Sequence, residues 1–95
     1  MYETKRHEDM YEAAYWLKLG INAGDEEFIS IANNGFNGDY DGINYVAALY
    51  EISEEDKRSN GIANLQDLAE RGNYNALRQL GNMYIEGKIH SVSYL

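Results

Sequence analysis

One stretch of this chain occurs twice, 34 residues apart. The first copy reads Gly38-Asp39-Tyr40-Asp41-Gly42-Ile43-Asn44-Tyr45-Val46-Ala47-Ala48-Leu49-Tyr50. The second reads Gly72-Asn73-Tyr74-Asn75-Ala76-Leu77-Arg78-Gln79-Leu80-Gly81-Asn82-Met83-Tyr84. The register holds without a gap: Gly meets Gly, Tyr meets Tyr, and Ile43, Val46 and Leu49 meet Leu77, Leu80 and Met83. A period of about 34 residues is that of stacked helix–turn–helix units. Such units are too short to bury an apolar face alone, so neighbours stack into a continuous core. The repeat predicts an all-α chain: a small right-handed α-solenoid of stacked antiparallel helix pairs, with about five helices.

A chain of 95 residues makes one domain. Within it, 1–37 reads as irregular N-terminal helices, 38–71 as a degenerate repeat, and 72–95 as a partial repeat and tail. There is no proline to break a helix, so glycine does the punctuation. Helical spacing of Met10, Ala13, Ala14, Leu17 and Ile21 predicts a helix over 6–22. Asp25 suits an N-cap, with Glu26 and Glu27 at the positive end of a short helix over 26–34 that Asn33-Asn34-Gly35 closes. A third helix spans 39–52, its buried stripe made by Ile43, Val46, Ala47 and Tyr50. Ser53 with Asp56 three residues on resembles a capping box for a fourth helix reaching Glu70. The fifth runs over 74–86, and Gly87 ends it.

These residues resemble a Sel1-like repeat, a relative of the tetratricopeptide hairpin. The features that carry the resemblance are Ala76, Leu80-Gly81, Tyr84 and Gly87 on the first helix of a pair, and Ala69-Glu70-Arg71-Gly72-Asn73 closing a second helix. Gly24-Asp25 and Gly38-Asp39 are corners of the same kind. The resemblance implies that Gly81 and Ala76 let helix backbones approach closely and that Tyr84 fills the gap at the end of a pair; the core stripe leaves Ala48 on the free face. Gly42 and Ala47 depart from the pattern, and Asp25 to Asn37 is too short for a full pair. A protein-binding scaffold without catalysis of its own is what the resemblance implies.

The residues themselves point away from chemistry. Asn37, Asp39, Asp41 and Gly42 copy the opening of a calcium loop, but its twelfth place, which needs a bidentate glutamate, is Ala48. Two histidines, His7 and His90, and no cysteine do not make a metal site. Neither cofactor nor metal is expected. Adjacent acids such as Glu54-Glu55 point apart on a helix, and read as solvated turns rather than acid–base couples. No apolar run is long enough to span a bilayer, and the polar N-terminus lacks a signal-peptide core, so the expected compartment is the cytoplasm.

Charge is placed unevenly. Residues 1–56 hold thirteen acids against three bases, a net −10, while 57–95 hold three acids against five bases, a net +2. Such a field repels phosphate backbones and anionic lipid, which disfavours nucleic acid and membrane and draws a basic protein surface. Nine tyrosines dominate the aromatics. Tyr50 and Tyr84 match across the repeat and are expected in the core, with Tyr40 and Tyr74 over the corners. Tyr11, Tyr15 and Tyr45 are left over as anchors, since aromatic side chains carry interfaces. The expected partner-binding face joins them to Glu8, Asp9, Glu12, Asp39, Asp41 and Asn44, with Arg78, Gln79 and Asn82 as a second strip. A non-catalytic interaction module is the first expectation. The alternative is a small acidic inhibitor, like the short acidic phage proteins that antagonise host defence, blocking a basic nucleic-acid-binding surface on its target. An apolar end face would have to be capped, or paired as a homodimer.

Overall fold

The computed structural model describes residues 6–87, with side chains from Met10 onward. Five α-helices follow one another: α1 (Arg6–Asn22), α2 (Glu26–Gly35), α3 (Tyr40–Ser53), α4 (Arg58–Glu70) and α5 (Tyr74–Ile85). A 3₁₀ turn, Glu55–Lys57, leads into α4. Among the described residues there is no strand, and no helix is long and apolar enough to cross a membrane. The all-α architecture expected from the repeat is therefore present. The tail with His90 lies outside the described residues.

The corners explain the helix boundaries. Gly24 and Gly72 sit at φ +82° and +98°, a left-handed geometry open to glycine. In both corners the glycine N–H donates to the carbonyl three residues back, and the following N–H to the carbonyl five back, at 2.9–3.0 Å. This is the Schellman pattern, which satisfies carbonyls that a helix end would leave bare. The next residue then caps the following helix. Asp25 accepts from Glu27 and Phe28 N–H, and Asn73 from Ala76 N–H. Asp39 does the same for Gly42 N–H. The middle corner is built differently, because α2 runs through Gly35 rather than stopping there. Asn37 and Gly38, at φ 56° and +70°, make that turn.

Ser53 does not cap α4. It is the last residue of α3, and its hydroxyl donates to the Tyr50 carbonyl at 2.6 Å. The helix enters instead through the 3₁₀ turn with no side-chain cap, while Arg58 donates to the Ile52 carbonyl at 3.0 Å.

α3 is the central element, with α1 and α4 packed along it; α5 packs on α4, and α2 touches α1 more lightly. The core falls into two clusters. Leu17, Ala32 and Ile43 join α1, α2 and α3, with Ile21 and Tyr40 against them. Ala48, Leu65, Leu68, Ala76, Leu80 and Met83 join α3, α4 and α5.

Three expected placements are corrected here. Ala48 is fully buried rather than on a free face. Gly81 is exposed, with nothing near the position a Cβ would take, so it is not where helices touch. That role belongs to Gly61: a Cβ there would stand 2.8 Å from the Ala48 carbonyl oxygen, Glu51 Cβ and Ile52 N. Tyr74 is 66% exposed and covers no corner. Tyr50, Tyr84 and Val46 are half-buried, and Met10 is exposed.

Glu51 is the buried charge among the described residues. Its carboxylate pairs with Lys18 of α1 at 3.5 Å and accepts from Asn64 of α4 at 2.9 Å. Three helices thus converge on one side chain. Removing one partner of a buried pair strands the other charge, at a cost of about 3–5 kcal/mol.

Two predictions follow from this packing. Gly61→Ala lowers stability, because overpacking at about 1–3 kcal/mol outweighs a gain in helix propensity of about 0.5–1 kcal/mol. Gly81→Ala raises stability by about that same propensity term, and urea midpoints read both variants. Lys18→Ala costs about 3–5 kcal/mol, whereas Lys57→Ala, which breaks a surface pair with Asp56 and a contact with the Tyr15 ring, costs far less. Equal losses in a denaturation series would show that Glu51 does not depend on its partner.

Candidate functional site

An apolar groove of about 670 Å³ lies among α1, α2 and α3. That volume lies within the range of binding pockets. Met10 and Trp16 come from α1, Phe28 and Ile31 from α2, Phe36 from the turn, and Val46 from α3. All but Val46 are exposed, Trp16 by 53% and Phe36 by 50%. The Leu17–Ala32–Ile43 cluster lies beneath them.

Helix length explains the opening. α2 has ten residues against thirteen in α4. It anchors on α1 where the Phe28 ring lies at the bare face of Gly20, a place no Cβ could share. On α5, the buried residues that face α4 are Ala76, Leu80 and Met83. Their repeat partners on α3 are Gly42, Val46 and Leu49, and Gly42 and Val46 line the groove instead. The groove stands where the second copy of the repeat makes a helix–helix contact.

Chemistry in the groove is sparse. Asp39 is the acidic residue on its lining, and that carboxylate already caps α3. Among the described residues no group of three His, Cys, Asp or Glu side chains is placed to hold a metal ion. The site can bury apolar surface and little else.

An aromatic strip runs from the groove rim. Trp16 donates its indole N–H to Glu12 at 3.1 Å and meets Tyr15 edge-on at 5.2 Å. Tyr15 stacks obliquely on Tyr50 at 5.1 Å, and the Lys57 ammonium lies 5.7 Å from the Tyr15 ring. Tyr45 is half-buried, packed against the C-terminal core cluster, and so is explained by the fold after all. Burial raises its pKa above the usual phenol value of 10.0; Tyr11 adds to the rise and Arg78 opposes it. Tyr11, Tyr45 and Arg78 therefore share one electrostatic neighbourhood.

The other expected site residues are scattered or engaged. Asp41 pairs with Arg71 at 3.2 Å, and Arg71 also holds Asp67 at 3.1 Å. Asn44 lines a small polar pocket with Lys18, Asn64 and Arg71. The Arg78 guanidinium lies 5.8 Å from the Tyr74 ring, Gln79 is half-buried, and Asn82 is exposed. Glu8 and Asp9 lie on α1, with side chains outside the described set. Helical spacing puts Met10 among the apolar residues of α1, while nothing in the sequence singles out Ile31 or Phe36. The available signal was the short segment from Asp25 to Asn37, which leaves neighbouring apolar faces without a full helix to cover them.

The raised pKa of Tyr45 carries a pH prediction. An unfolded tyrosine releases its proton first, so the contribution is complete below pH 10.0 and is lost as pH rises through the higher folded value. The alkaline fall in stability should be shallower in Tyr45→Phe, and phenolate absorbance titrations of parent and variant should differ by one late-ionising group.

No protein-family model, curated protein or solved structure matches this chain.

Proposed function

We propose that this chain is a non-catalytic protein–protein interaction module whose groove takes the apolar face of an amphipathic helix with basic flanks. One observation carries the reading. Large apolar side chains of α1, α2 and the following turn stand exposed around a cavity at a place where the repeat elsewhere seats a helix. Helix-in-groove docking uses such a surface, with anchors one turn apart. The net −10 over residues 1–56 selects for positive flanks and speeds encounter. Tyr15 meets Trp16 at the groove rim, and Glu12, which accepts from the Trp16 indole, adds charge beside it.

The Sel1-like reading belongs with this proposal. Schellman corners at Gly24 and Gly72, and the buried Ala76, support it; the exposed Gly81 does not. The same charge favours a second reading, an acidic inhibitor that covers a basic nucleic-acid-binding surface. Binding that nucleic acid competes away, and that collapses with salt, marks the second reading.

Trp16 is the single tryptophan and lies on the groove, so its emission reports occupancy. Two synthetic helical peptides with the same leucine face, one with lysines and one with glutamates on the polar face, make the test. The lysine peptide should shift Trp16 emission to the blue and bind about tenfold more tightly than the glutamate peptide, a difference of about 1.4 kcal/mol. Ile31→Lys should abolish the shift. Equal affinity for both peptides, or a shift that survives Ile31→Lys, overturns the reading.

A further inference from the structure

The far end of the chain carries an apolar surface of its own. Tyr74, Leu77 and Ile85 lie on one stripe of α5, with Gly81 between the last two, and they are 66%, 57% and 84% exposed. The spacing of three, four and four residues keeps them on a single face. The buried Ala76, Leu80 and Met83 occupy the other side, against α4. By the repeat, Tyr74 and Leu77 correspond to Tyr40 and Ile43, which are half-buried and buried. The second copy thus leaves open what the first copy covers.

α5 also differs in charge. It is the one described α-helix with no acidic residue, and it carries Arg78. Arg78 lies beside the stripe, against Tyr74. The groove lies in the half of the chain with net −10, and the stripe in the half with net +2. One end offers an apolar groove in a negative field. The other offers an amphipathic helix without negative charge.

Resting on the groove reading above, we propose that the groove's occupant is α5 of a second copy of this chain, docked head to tail. The stripe of Tyr74, Leu77 and Ile85 enters the groove against Trp16, Ile31 and Phe36, and Arg78 meets the acidic rim. Such a contact is heterologous, joining two different surfaces. A heterologous contact leaves one groove and one stripe free at the ends of a pair, so assembly continues to a closed ring or an open filament.

Sedimentation of the full chain and two variants tests this. Ile31→Lys places a cation in the groove, and Leu77→Glu places an acid on the stripe. Both positions are exposed, so the fold survives, which circular-dichroism melting confirms. The parent should grow in mass with concentration, and the growth should weaken with salt. Each variant alone should be monomeric. Their equimolar mixture should form a discrete dimer and nothing larger, because it contains one intact groove and one intact stripe per pair. A parent that stays monomeric over its whole soluble range overturns the proposal. So does a parent dimer that persists in either variant, or a mixture that fails to pair. If the parent is monomeric and the lysine peptide still shifts Trp16, self-docking alone falls and the groove reading stands. If the peptide also fails, both fall.

Discussion

Glu51 fixes the arrangement on which everything else rests. The apolar core is split into two clusters, one on each part of α3, and hydrophobic burial within either is non-directional. Apolar contacts by themselves resist a slide of α1 or α4 along α3 less sharply than a buried charge does. A carboxylate is different. It needs Lys18 on one side and Asn64 on the other, and a slide of one turn would leave a buried charge without partners. The ion pair therefore opposes any slide that parts Glu51 from Lys18 and Asn64. It gains little in stability over a well-packed apolar pair. The close approach at Gly61 belongs to the same packing, which brings the first turns of α4 onto Ala48 and Ile52.

Fixing α1 on α3 in turn makes the groove. α2 is joined to α1 through a tight Schellman corner at one end and must reach Gly38 at the other. Ten residues give a helix of roughly 15 Å, too short to lie along the whole of α3. α2 settles with Ala32 in the core and Phe28 on Gly20, and Ile31 is left exposed on the groove. The exposed apolar surface is thus a consequence of a missing turn of helix rather than of a disordered or loosely packed region.

The sequence announced the helices and their corners well, because those depend on local chemistry. Glycine at positive φ followed by Asp or Asn is readable wherever it occurs, and α1 ends as its periodicity says. Which face of a helix is buried was less legible. Ala47 and Ala48 are adjacent and both fully buried, so α3 is enclosed on more than one side and no single stripe describes it. Matching residues of the two copies also meet unlike surroundings: Ile43 is 5% exposed and Leu77 57%. The repeat encodes a helix and its caps, but burial depends on what the neighbouring helices supply. α1 covers α3, while nothing among the described residues covers the same face of α5. The groove was hidden for the same reason, since Met10, Leu17, Ile43 and Val46 on its lining read locally as core.

A stack of few helix pairs has ends, and each end must be either polar or covered. This chain meets neither condition with its own described residues. Its negative half leaves Trp16, Ile31 and Phe36 around an open groove, and its weakly positive half leaves Leu77 and Ile85 in solvent. Exposed apolar groups scattered singly would need no explanation. Here they are gathered, at two places, with opposite charge around them. A stack that simply stopped would have been served as well by lysine or glutamate at positions 31 and 77, which lie on surfaces open enough to take either. Isoleucine and leucine at those places are what the proposed self-docking would use, since surfaces opposite in both shape and charge are able to cover one another.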